Sequence, residues 1–141
     1  MRTIKFRGQV MFPENGIVLN CDKKEGEWVY GDLHLQSRVP HIHMFGKQYP
    51  INPATVGQFT GLLDKNGKEI YEGDIIGCHN PDIKHLIFYN EKQGRFMAAL
   101  NGDIENYFVG VCGLDDSRWN ASKEVIGNIH DNPELLKGGN K

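Results

Sequence analysis

The sequence predicts a mainly β protein, and three observations carry that prediction. Apolar and polar residues alternate with period two along short runs, as they do on half-buried strands. Clusters of glycine, asparagine and aspartate separate those runs roughly every 8–12 residues. No window keeps the apolar stripe of an amphipathic helix.

Element by element, Ile4 and Phe6 share one face of a first strand and Lys5 and Arg7 the other. Asn15-Gly16 fits a tight turn between Val10-Met11-Phe12 and Ile17-Val18-Leu19, with Pro13 limiting that ladder because it has no N–H to donate. Glu27 to Leu35 is a second strand, with Val29, Leu33 and Leu35 inward and Trp28, Tyr30, Asp32 and His34 outward. Two large rings on an outer face need cover from a loop, a lobe or another subunit. Pro40 and Pro50 bracket the less regular His41-Ile42-His43-Met44-Phe45. Asn52-Pro53 has the form of an N-cap followed by proline at the first helical position, which gives a single turn.

Beyond that turn, glycines 57, 61, 67 and 73 punctuate short apolar runs. Asp64 to Lys68 reads as a hairpin turn and Glu72-Gly73-Asp74 as a bend leading into Ile75-Ile76-Gly77-Cys78. His85–Tyr89, Arg95–Leu100 and Tyr107–Cys112 are further strands, Leu114 to Ser122 a loop, and Glu124 to His130 the last strand. Asp131 to Leu136 repeats the cap-proline start as a short helical turn. Small antiparallel sheets close or cover their edges to avoid pairing with other chains. The expected architecture is therefore a small antiparallel SH3-like barrel over 51–136, a β lobe over 1–50 leaning on it, one or two helical turns, and a disordered tail over 137–141.

Four stretches, in order, resemble the YopX family: Ile4-Lys5-Phe6-Arg7-Gly8, Gly26 to Gly31, Thr55 to Ile76, and Glu124 to Ile129 running on to Asn132-Pro133-Glu134-Leu135-Leu136. Together they span nearly the whole chain, while 9–25 and 79–122 carry little of the likeness. The resemblance implies a phage or prophage origin and a mostly β fold, and it brings no catalytic residues with it.

Bulk composition narrows the function classes. The 141 residues suit one domain or two small lobes, and a chain of this size buries a core without staples. Sixteen basic and eighteen acidic residues leave a net charge of −2, which gives no general attraction to phosphate backbones or anionic membranes. Cys21, Cys78 and Cys112 are odd in number and widely spaced, as in a reducing compartment. With no secretion signal and no membrane-length apolar run, the expected location is the cytoplasm of a bacterial host cell.

Several constellations invite a chemical reading. His41 and His43 share a strand face and could share a zinc ion if Cys78-His79 came near, though solvated histidines explain the pattern as well. Cys78 beside His79 or His85 has the composition of a nucleophile and base, but a cysteine inside an apolar strand ordinarily packs as a small hydrophobe. The same holds for Cys112. Asp64-Lys65-Asn66-Gly67 lacks the glycine and glutamate positions of an EF-hand. Gly110-Val111-Cys112-Gly113 and Gly57 to Gly61 lack the context of nucleotide loops. Asp115-Asp116 and the Glu72/Asp74 pair are acids, and Asp74 suits a bend accepting backbone N–H groups.

No catalytic residue, metal or cofactor is assigned from the sequence. The expected function is non-enzymatic: a β module acting through protein contacts, self-associating to a homo-oligomer through a surface around Trp28, Tyr30, Lys5 and Arg7, with a further protein partner not identified by the sequence. The rival is a nucleic-acid-binding barrel in phage replication or gene control, in which exposed rings interleaved with cations stack on bases. An enzyme using Asp74, His79 or His85 is the third reading.

Overall fold

The computed structural model describes residues 3–13, 21–35, 38–77, 80–104, 111–113 and 123–137. The expected Asn15-Gly16 turn, the strand over 17–19, Cys78-His79, most of the 107–112 strand, the 114–122 loop and residues 138–141 of the tail lie outside them. The chain divides into two compact units, 1–59 and 60–141.

In the first unit, β1 (Phe6–Gln9), β2 (Trp28–His34), β3 (His41–Met44) and β4 (Lys47–Pro50) form an antiparallel ladder in chain order. The start of β5 (Gly57–Leu63) adds to the other side of β1, with Phe6 opposite Gln58 and Arg7 opposite Gly57. Alternation sends Val29 and Ile42 inward to pack with Val10, Tyr49 and Ile51, and Phe6, Leu33 and Met44 flank that cluster. The sheet curls around this core. A single bridge joins Val10 to Ile51, and the Met11 N–H donates to the Pro50 carbonyl at 3.0 Å.

Close strand approach is bought with glycine. A Cβ on Gly31 would stand 2.0 Å from the His43 carbonyl oxygen, and one on Gly8 would stand 2.3 Å from the Ile51 Cγ2. Asn52 caps the 3-10 turn Pro53–Thr55 as its sequence predicts, its side chain accepting from the Ala54 N–H.

In the second unit β5 continues and is hydrogen-bonded to β6 (Glu69–Tyr71). A separate antiparallel sheet runs in the order β10 (Val111–Gly113), β9 (Arg95–Leu100), β8 (Lys84–Asn90), β7 (Asp74–Gly77), β11 (Glu124–Asn128). Ile70, Ile76, Ile87 and Ala98 form its core, with Leu62 and Val125 beside them. The mainly β, antiparallel expectation holds, and the four-residue helix α1 (Glu134–Lys137) follows the predicted cap-proline start.

The SH3-like barrel over 51–136 does not form among the described residues. The sheet order leaves β10 and β11 on opposite edges. Two bonds from the β5–β6 hairpin, one from a side chain and one from the main chain, meet β11 where a barrel needs a full strand ladder. Asp64 Oδ2 accepts the Val125 N–H at 2.9 Å, and the Lys65 N–H donates to the Lys123 carbonyl at 2.9 Å.

Candidate interaction surface

The face of the first unit's sheet opposite its core carries the residues singled out from sequence. On β1 and β5, Lys5 lies across from Phe59, whose N–H donates to the Lys5 carbonyl, and the Lys5 ammonium stands 5.6 Å from the Phe59 ring centre. Arg7 is opposite Tyr30 and Gln9 opposite Trp28, so the Arg7 guanidinium reaches diagonally over the Trp28 ring, 4.6 Å from its centre. Cation–ring contacts of this kind contribute about 0.5–2 kcal/mol each, more as water is excluded.

These residues differ in accessibility. Arg7 is only 6% exposed, Trp28 and Lys5 are half-buried, and Tyr30 is 39% exposed in the middle of its strand. Of the four expected surface residues, Tyr30 is thus the one openly presented. Arg7 lies within the layer, against Trp28.

Histidines continue the same face across β2 and β3. His34 is opposite His41 and Asp32 opposite His43. The His34 and His43 rings stack diagonally, 3.6 Å apart and 7° from parallel. His41 Nδ1 instead lies 2.8 Å from the Val39 carbonyl oxygen. The shared face for His41 and His43 was legible from their spacing. Their engagement with His34 was not, because cross-strand register is absent from local sequence. No group of three metal-ligating side chains converges among the described residues.

Sequence reasoning also passed over Phe45. It follows β3 in a two-residue hairpin turn, between paired Met44 and Lys47, with φ of 51° and Gly46 at 80°. Phe45 is 94% exposed. Beside it, Met44 Sδ accepts the Tyr30 backbone N–H at 3.4 Å, tying the residue before the turn to the main chain of β2.

The remaining candidates have structural partners. Asp74, fully buried, accepts the Tyr71 N–H at 2.7 Å, the bend role expected of it. Half-buried His85 is opposite Ile76 and Leu100; burial, with the Lys123 charge, pushes its pKa down. Half-buried Cys21 donates its thiol to the Lys23 carbonyl. Cys78, His79, Asp115 and Asp116 lie outside the described residues, as does the Cys112 side chain.

The family model for YopX protein matches residues 5–137. The chain belongs to the YopX family. That match takes in the four stretches in which the sequence resembles the family, apart from Ile4 at the start of the first, and it extends over both structural units of this YopX chain. Among solved structures, protein EF1440 from Enterococcus faecalis is 24% identical, over 96% of this chain and 99% of that one, with a TM-score of 0.49. No curated protein matches the chain. No helix among the described residues is long and apolar enough to cross a membrane.

Proposed function

We propose that this YopX-family protein is a non-enzymatic binding module whose working surface is the outer face of its first-unit sheet, and that it self-associates through that face. The observation that supports the reading most is Tyr30, a large ring left 39% exposed at mid-strand although the fold has a buried face one residue away. Its surroundings are ordered by ladder hydrogen bonds and by the Arg7–Trp28 contact, so little side-chain entropy is lost on docking. Tyrosine and tryptophan in such settings are the side chains that interfaces favour. The family resemblance implies a phage or prophage origin, and the odd, widely spaced cysteines suit the reducing cytoplasm of a host cell.

The test is light scattering on the full chain, with tryptophan fluorescence followed across a wide concentration range in a Trp119→Phe background that leaves Trp28 as the sole reporter. The reading predicts an oligomer for the wild type and a folded monomer for Tyr30→Asp. A wild type that stays monomeric at every concentration, with unchanged fluorescence, would rule it out.

A second reading, single-stranded nucleic acid on the same face, is favoured by charge. Residues 1–59 hold seven Lys/Arg against five Asp/Glu, a net +2, whereas 60–141 hold nine against thirteen, a net −4. The overall −2 conceals this split. Retention of a labelled oligothymidine at low salt, lost at high salt, would support this reading, and no retention at low salt would end it.

A further inference from the structure

Among the described residues, two tight turns have consecutive central residues that both take positive φ. Asn101 at 52° and Gly102 at 80° follow β9; Phe45 at 51° and Gly46 at 80° join β3 to β4. Asparagine and glycine are the residues such turns demand: glycine has no Cβ to crowd the neighbouring carbonyl in the left-handed region, and asparagine's short polar side chain offsets that crowding by hydrogen-bonding locally. The first turn follows that chemistry and the second breaks it with a bulky aromatic. Burial cannot compensate at Phe45, which is 94% exposed. A residue held in a disfavoured conformation without return to the fold points to function.

We propose that Phe45 anchors a head-to-tail contact between copies, in which the β3–β4 tip of one copy seats on the second unit of the next. This rests on the binding-module reading and adds to it the anchor and the surface that receives it. Charge selects a second copy as the occupant: the tip belongs to a unit of net +2, and the unit of net −4 is present on every other copy. That second unit also exposes Leu63, Tyr89, Ile104 and Ile126, apolar side chains against which a ring can dock. Like-with-like pairing of first units would instead oppose positive charge to positive charge. Because the two contacting surfaces differ, association does not stop at a symmetric dimer unless the rotation closes a ring.

The experiment is sedimentation velocity on the full chain at low and high salt, comparing wild type, Phe45→Asn, Phe45→Trp and Tyr30→Asp. Expected for the wild type is association that grows past the dimer with concentration and weakens with salt. Phe45→Asn, whose side chain suits the turn, keeps or raises the Tm and weakens association by at least about thirtyfold, the loss expected of a central aromatic anchor. Phe45→Trp, which keeps a ring, retains it. The proposal is overturned if Phe45→Asn associates like the wild type, if Phe45→Trp folds but dissociates as Asn does, or if the wild type stops at a salt-insensitive dimer. Should Tyr30→Asp dissociate the protein while Phe45→Asn does not, the working-face reading survives and this one fails. A monomeric wild type removes both.

Discussion

Asp64 shows how one residue can hold a junction that would otherwise need a strand pair. It is 4% exposed, and its two oxygens accept the N–H groups of Asn66, Lys68 and Val125 at 2.8, 2.9 and 2.9 Å. Burial alone would raise its carboxyl pKa. The N–H groups of Val125, Lys68 and Asn66, with the Lys68 charge, outweigh that and hold it below the ordinary value. Asp64→Ala leaves three part-buried N–H donors without their acceptor and should cost about 1–3 kcal/mol, read as a lower urea midpoint. Asp22 is likewise held low, chiefly by the Tyr49 hydroxyl 2.7 Å away, and the same bond pushes the Tyr49 pKa up to about 12.

The signs of these shifts define a pH window. His85 is lowered, so below about pH 6.5 the unfolded chain takes up a proton first and stability begins to fall. The two aspartates are lowered, so their contribution is present above about pH 4 and is lost as pH falls through their folded values. Tyr49 is raised, so its contribution is complete below about pH 10 and is lost as pH climbs towards its folded value. Urea melts across pH should therefore show a plateau between about pH 7 and 9. A stability that still rose below pH 6 would contradict these assignments.

At the scale of elements, the β2–β3 ladder depends on the absence of a side chain at position 31. The atom a Gly31 Cβ would meet is backbone, which cannot rotate away as a side-chain tip can. Gly31→Ala should cost about 3 kcal/mol, the upper end of overpacking losses, whereas Gly8→Ala meets the Ile51 methyl and should cost less. Denaturant midpoints of the two variants check the order.

The same region shows what the sequence could and could not reveal. Alternation placed Val29 and Leu33 inward and Tyr30 outward, because period two survives in the letters themselves. Asn52-Pro53 and Asp64 to Lys68 were legible because their residues carry the turn chemistry. The β3–β4 hairpin was not, since Phe45-Gly46 is a poor turn signal. The diagonal Arg7–Trp28 and His34–His43 contacts were hidden for another reason: both depend on strand register, which tertiary packing sets.

At the scale of the molecule, hydrophobic alternation was enough to call for antiparallel sheets but not to decide closure. What β11 meets there is long-range: Asp64 bonds to Val125 across 61 positions, with the Lys65–Lys123 main-chain bond beside it. The small overall charge likewise obscured a first unit of +2 and a second of −4, because the division after Phe59 had to be known before the charges could be apportioned. Association driven by that split should weaken as salt shortens the screening length, roughly 30 Å at 0.01 M against 3 Å at 1 M.

The most direct measurement is amide hydrogen exchange on the full chain in dilute and concentrated solution. The account predicts that protection rises with concentration in Trp28 to His34 and in the β3–β4 hairpin around Phe45. Exchange that is independent of concentration, or protection gained only within residues 60–137, would contradict the assignment of the first unit's outer face as the working surface.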